Sequence, residues 1–230
     1  MRSCGGRSEQ EVGADSLPNE CWQSDITHWL LGDLTEVDIC NFLDDHSRLA
    51  VASVVMAPAT AATVLQVFRE AGELWGFPAA LLTDNGCVYT TWHRGGPNVM
   101  QTELLAAGID FRHSRPCHPQ TCGKVERFHQ TLTRWLARQP RARTIGQLQG
   151  QVDRFVANYN DVRPHRAVGR TAPRIAFEAR DKARPSGLRI RVEAGCGSDE
   201  TGSTRVARSR CATARGCTTS AWATPTRASG

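Results

Sequence analysis

The chain has 230 residues, a formal net charge of +5 and an ordinary composition for a globular protein up to about residue 181, enough for one good core with a small appendage. No apolar N-terminal segment suits a signal peptide, and the nine cysteines contain no Cys-x-x-Cys pair, so reduced thiols in a cytoplasmic protein are expected. The uncharged run 49–68 raises a membrane span, but Pro58 and the Ala and Thr content favour a strand ending before a helix.

In chain order, residues 1–17 are polar and Gly-rich, a loose lead-in. Residues 21–31 alternate and predict a strand; Gly32-Asp33 makes a turn, 35–43 a second strand, and Asp44-Asp45-His46-Ser47 another turn before a third strand over 48–56. This is an antiparallel meander, with Asp44 and Asp45 read as turn residues rather than metal ligands. Thr60 caps a helix whose Val64, Leu65, Phe68, Ala71 and Trp75 follow helical spacing to Gly76. A short buried strand over 79–83 delivers Asp84; 98–107 predicts a helix and 109–113 a fifth strand. Two prolines make 114–121 a loop. Cys117, His118 and Cys122 in and after it lack the second ligand pair that a zinc finger needs. Helices over 122–138 and 144–159 complete the pattern, the first burying Val125, Phe128, Leu132, Trp135 and Leu136. The order predicts an α/β fold, a mixed five-stranded sheet flanked by helices, with further helices at the C-terminal side. It matches the ribonuclease H-like fold, whose active site lies where the first and fourth strands end side by side.

Charge is uneven along the chain. Residues 1–111 carry 5 basic and 15 acidic side chains, residues 112–181 carry 14 and 5, and the remainder 9 and 3. Within 112–143 Glu126 is the sole acid among eight Lys or Arg residues. Such a run is ordinarily a solvated face; around a candidate metal carboxylate it fits a phosphate-backbone track.

Three acids stand in contexts that suit metal-binding carboxylates: Asp25 in Trp-Gln-Ser-Asp-Ile-Thr, Asp84 in Leu-Leu-Thr-Asp-Asn-Gly and Glu126 in Gly-Lys-Val-Glu-Arg-Phe-His. Singly, each has an ordinary reading: a surface strand residue, a turn residue and a first-turn helix acid favoured by the macrodipole. Together, from two strands and a helix in this order, they can hold two Mg²⁺ ions, because a cation offsets their mutual repulsion.

These residues carry a resemblance. The chain over roughly 18–185 resembles the integrase-like catalytic core of bacterial insertion-sequence transposases, related to retroviral integrases. The matching motifs are Leu17-Pro18-Asn19-Glu20, Trp22-Gln23-Ser24-Asp25, Phe42-Leu43-Asp44-Asp45-His46-Ser47-Arg48 and Leu82-Thr83-Asp84-Asn85-Gly86. They continue through Arg115-Pro116, His118-Pro119-Gln120-Thr121, Gly123-Lys124-Val125-Glu126-Arg127-Phe128 and Tyr159-Asn160 with Arg163-Pro164-His165. The 42 positions from Asp84 to Glu126 exceed the retroviral spacing, and Trp92–Pro97 can hold the excess. The resemblance implies Asp25, Asp84 and Glu126 as the catalytic triad and metal ligands. It also implies two Mg²⁺ ions, for which Mn²⁺ substitutes, DNA as partner, and a homo-multimer acting on paired element ends. Water is the implied nucleophile for strand cleavage, and a freed 3′-hydroxyl for transfer to target DNA. Lys124, Arg127, Arg115 and Arg134 are candidate phosphate contacts, and His118 and Gln120 candidate contacts near the scissile bond. Gly123 is expected to let the chain turn tightly into the catalytic helix. Tyr159–His165 suits packing or a subunit contact as well as DNA.

Two departures accompany the resemblance. Full-length relatives place helix-turn-helix modules before the core, whereas about twenty residues precede Trp22 here, so that module is expected to be absent. After about Arg191 the chain becomes Ala-, Arg-, Ser-, Thr-, Gly- and Cys-rich without periodicity, and a disordered tail over 182–230 is expected. Gly216–Trp222 can be encoded so that the neighbouring frame reads Leu-His-His-Ile-Gly-Val, similar to a run in the relatives' C-terminal segment; the tail is thus expected to be out of frame. The domain expectation is a core over 18–181. The function expectation is metal-dependent strand cleavage and transfer, with a non-catalytic DNA-binding fragment of a decayed element, or a purely hydrolytic ribonuclease H-like nuclease, as alternatives.

Overall fold

The computed structural model describes residues 17–84, 99–113 and 123–186, all inside one compact unit. Strands β1 (Cys21–Leu30), β2 (Glu36–Asp44) and β3 (Ala50–Met56) form the antiparallel meander. Strands β4 (Ala80–Thr83) and β5 (Asp110–His113) extend the sheet on the other side of β1, in parallel, giving the order β3-β2-β1-β4-β5. Helices α1 (Ala61–Trp75) and α2 (Val99–Ala106) precede β4 and β5 respectively; α3 (Gly123–Leu136), α4 (Ile145–Asp161) and α5 (Pro173–Glu178) follow them.

The sheet is covered on both faces, which explains why six successive residues of β2 are buried and period-2 alternation is faint there. Even-numbered Cys40 and Phe42 join Trp22 and the α1 residues Val64, Phe68 and Ala71. Odd-numbered Ile39 and Leu43 face Val125, Phe128 and Leu132 of α3 with Val152 and Phe155 of α4. Trp22 meets Phe42 and Phe68 edge-on, with centroids 6.4 and 5.7 Å apart, a geometry that aromatic quadrupoles favour.

Helix starts follow their caps. Thr60 and Thr63 exchange hydrogen bonds at the α1 N-terminus, and the Thr144 hydroxyl accepts from the Gln147 N–H at that of α4. Gly72 inside α1 has a packing reason: a Cβ there would lie 2.2 Å from Phe77 Cε1.

Several motif residues are structural. The Asn19 carboxamide accepts from Trp22 Nε1 and donates to the carbonyls of Trp75 and Gly76, tying the chain's entry to the end of α1. Asp44 is fully buried and accepts from the N–H groups of Asn19 and Ser47 and from the Ser47 hydroxyl. Burial raises its carboxyl pKa above the ordinary value, opposed by those hydrogen bonds. Asp44 thus closes the β2–β3 connection, in keeping with the turn expectation. β3 is an edge strand, and α4 satisfies its outer backbone groups. Asn160 accepts from Ala50 N–H at 2.9 Å and donates to Ala50 C=O at 3.0 Å, while Gln149 accepts from Val55 N–H and donates to Ser53 C=O. An edge sealed by side chains cannot template another strand. Tyr159 stacks edge-on against Phe128 and His165 and is buried with Asn160, whereas 161–164 are exposed, so the core packing of this segment rests on its first two residues.

Two expectations change. α5 and the 3-10 turn Arg166–Val168 were not expected as elements, because six residues with Phe177 as main anchor show no repeat of the apolar period. β1 runs five residues past Asp25, as the 21–31 strand expectation has it, so Asp25 sits mid-strand. Nothing lies within 4 Å of a Cβ added at Gly123, so no close approach demands glycine. The described chain continues beyond 181, with Ala183 and Ser186 donating to the carbonyls of Pro18 and Gly108. Residues 1–16, the Trp92–Pro97 segment, Cys117, His118, Cys122 and the proposed out-of-frame stretch lie outside the described residues. Among those described, no helix is long and apolar enough to cross a membrane.

Two stability outcomes follow from this packing. Asn160→Ala leaves both backbone groups of buried Ala50 unpaired and is expected to cost about 2–4 kcal/mol in urea denaturation. Gly72→Ala is expected to destabilise by about 1–3 kcal/mol, since overpacking against Phe77 outweighs the roughly 1 kcal/mol of helix propensity gained.

Candidate active site

The sheet register assembles the acidic residues. β1 and β4 pair in parallel with Ser24 opposite Thr83; one step further sets Asp84 beside Asp25 on strands about 4.8 Å apart. β4 is four apolar-to-neutral residues long and buried throughout, so Asp84 is the first residue to leave the core. Asp25 shares the α3-facing side of β1 with Gln23, because side chains two apart on a strand share a face. Glu126 lies in the first turn of α3, where the helix dipole favours an acid.

Burial pushes the Asp25 carboxyl up to about 6, the Ile26 N–H bond opposes this, and the charges of Asp84 and Glu126 raise it further. His129, one turn beyond Glu126, has Nδ1 3.4 Å from Asp25 Oδ2. Burial holds its pKa down to about 4, so the ring is neutral at pH 7. Asn41 Nδ2 lies 3.0 Å from His129 Nε2 and also donates to Ile39 C=O, which makes Nε2 the acceptor and leaves the ring proton on Nδ1, facing Asp25.

The donor chemistry fits a hard divalent cation: carboxylate oxygens suit Mg²⁺ or Mn²⁺, and a cation offsets the repulsion that Asp84 and Glu126 add to the burial holding the Asp25 pKa up. Among the described residues, no three His, Cys, Asp or Glu side chains lie close enough together to enclose an ion, so an ion held by all three acids needs side-chain movement.

The remaining candidates are placed unequally. Lys124 is one-third exposed and forms an ion pair with buried Asp45. Arg127 is exposed next to Glu126, and Arg134 lies in the last turn of the same helix. Arg115, His118 and Gln120 lie outside the described residues. Sequence reasoning missed His129, Gln23 and Asp45 as neighbours of the site. For His129 the signal was its i,i+3 spacing from Glu126 and for Gln23 its i,i+2 spacing from Asp25 along β1; for Asp45 no local pattern exists, since its partners Gln23 and Lys124 are distant in sequence.

A mixed sheet with acids gathered where β1, β4 and α3 meet defines a ribonuclease H-like protein. Two family models described as an integrase core domain match residues 15–119 and 107–173; the chain belongs to the integrase core domain family. It is 24% identical over 164 residues to an uncharacterized protein of insertion element IS476 from Xanthomonas euvesicatoria, covering 71% of this chain and 46% of that protein. Against the transposase for transposon Tn552 from Staphylococcus aureus it is 28% identical over 139 residues, covering 53% of this chain and 27% of that protein. The chain spans about half the length of the curated insertion-element relatives it matches. Among solved structures, the HTLV-2 integrase catalytic core domain in complex with magnesium aligns with a TM-score of 0.53 at 18% identity, covering 70% of this chain and 97% of that one. The BIV integrase catalytic core gives 0.53 at 23% identity, covering 70% and 95%. These likenesses establish the fold.

The electrostatics carry a pH consequence for the metal-free protein. Because folding raises the Asp25 pKa, its contribution to stability is intact below its unfolded value of 3.8 and is lost as pH rises through about 6. Asp25→Asn is therefore expected to stabilise the chelator-treated protein above pH 6 by about 1–3 kcal/mol, and to flatten the decline between pH 4 and 6 in denaturation midpoints.

Proposed function

We propose that this chain carries the catalytic core of a DNA transposase, cutting and joining DNA strands through Asp25, Asp84 and Glu126 with two Mg²⁺ ions, Mn²⁺ substituting. The observation that carries the reading is geometric: the parallel register of β1 and β4 sets Asp84 beside Asp25, and Glu126 lies in the first turn of the helix packed on the same face of the sheet. The core domain of the proposal is residues 18–181. Its setting is the cytoplasm, acting as a homo-multimer on DNA.

The chemistry that bound divalent metal supplies at such a site is activation of the attacking oxygen and charge stabilisation at the leaving oxygen. Asp25 on β1, Asp84 just past the end of β4 and Glu126 on α3 would hold the metal, and so orient the scissile phosphodiester. In the displacement, water or a 3′-hydroxyl loses its proton and bonds to phosphorus as the bond to the 3′-oxygen breaks. The proton leaves to solvent, and the leaving oxygen takes one up. His129, neutral and directed at Asp25, orients that carboxylate from behind. Arg127 and Arg134 are the described candidates for phosphate contacts; Arg115, His118 and Gln120 are proposed to act from the loop before α3.

The test is a disintegration assay: the chain, Mg²⁺ or Mn²⁺, and a labelled branched strand-transfer product. Asp84→Asn and Glu126→Gln are each expected to lower the resealing rate by about a hundredfold or more; equal rates in these variants overturn the triad assignment. Resealing separates transfer from a nuclease, which only hydrolyses. Arg127→Ala is expected to weaken DNA binding and reduce the salt slope by about one, measured by fluorescence anisotropy.

A further inference from the structure

Around the acidic face lies a second polar cluster that the triad does not include. Gln23 is 3% exposed and Asp45 is 4% exposed. Gln23 Nε2 donates to Asp45 Oδ1 at 2.7 Å, and Gln23 Oε1 accepts from the Val125 N–H at 3.2 Å. The carboxamide can point only one way, since the reverse would set its NH₂ against an N–H and its oxygen against a carboxylate. Lys124 Nζ donates to Asp45 Oδ2, Arg48 Nη1 stands 3.9 Å from Asp45 Oδ1, and the Asp45 N–H donates to the carbonyl of Cys21. The cluster joins β1, the β2–β3 turn and the first turn of α3.

The Val125 N–H is one of the first-turn amides that a helix cannot satisfy internally. Here its partner comes from the strand that carries Asp25, two residues from that acid. Glu126 directly follows Val125, so whatever holds this amide sets where Glu126 stands. Lys124 supplies the counter-charge that a buried carboxylate needs, through a charge-assisted hydrogen bond.

We propose that Gln23, Asp45 and Lys124 form a latch that seats the first turn of α3 on β1, making them positioning residues for Glu126, with Lys124 serving as a strut within the protein rather than as a phosphate contact. The catalytic consequence rests on the transposase reading; the latch itself does not.

Hydrogen–deuterium exchange of the metal-free chain tests the latch without reference to activity. Gln23→Ala and Lys124→Met are each expected to speed exchange of the α3 first-turn amides by about tenfold or more, with β2 and α4 unchanged. Lys124→Arg, which keeps charge and donors, is expected to retain protection. On DNA, Lys124→Met is expected to slow resealing at saturating substrate by about tenfold or more, with affinity and salt slope within about twofold of the parent. Lys124→Met combined with Asp45→Asn is expected to be no slower than the worse single variant, as for residues acting as one unit. Unchanged exchange in both single variants overturns the latch. Additive losses, with weaker DNA binding and a salt slope reduced by about one, also overturn it in favour of a phosphate contact. A parent that reseals nothing, while the variants still loosen α3, removes the transposase reading and leaves the latch in place.

Discussion

The seating of α3 on β1 governs the acidic face, because a strand and a helix carry charges that must meet although no local sequence joins them. The apolar stripe Val125, Phe128 and Leu132 brings α3 onto the sheet, but hydrophobic packing is non-directional and does not set the height of a first turn. Direction comes from the hydrogen bond between Gln23 and the Val125 N–H, backed by Asp45 and Lys124. Sited at the end of α3 that bears Glu126, these contacts turn generic packing into a defined position for one carboxylate.

The rest of the fold supplies the other two acids and keeps them rigid. Asp25 sits in a strand hydrogen-bonded on both sides, by β2 and β4, and Asp84 leaves a strand buried along its whole length. Asn19 and Asp44 tie the entry of β1 to the end of α1 and to the β2–β3 turn. Asn160 and Gln149 seal the outer edge of β3. Much of what looks like a functional motif is thus scaffold: polar residues that satisfy buried backbone groups, which an unpaired fold would leave at a cost of about 1–3 kcal/mol each.

Rigidity has an electrostatic cost. Burial of Asp25 disfavours its ionisation, and the charges of Asp84 and Glu126 add to that tension. The neutral His129, pinned by Asn41, adds no positive charge to relieve it.

Amino-acid patterning by itself determined the element order, because apolar period and Gly, Pro and Thr punctuation are local. Thr60, the 61–75 helix and the four-residue β4 were legible for that reason, as were the three acids, Asp25 within a strand, Asp84 just after one and Glu126 in the first turn of a helix. The run of basic residues around Glu126 was legible as charge, but not as contacts: Lys124 looked like a ligand for phosphate, and the tertiary structure pairs it with Asp45, 79 positions away in sequence. The alignment of Asp84 with Asp25 depends on parallel register, the tautomer of His129 on Asn41 from a different strand, and the height of Glu126 on Gln23. Each is a long-range pairing, and one-dimensional periodicity carries no information about which distant groups meet. Local chemistry therefore specified the parts and their order, and only the packed sheet decided how the acids face one another.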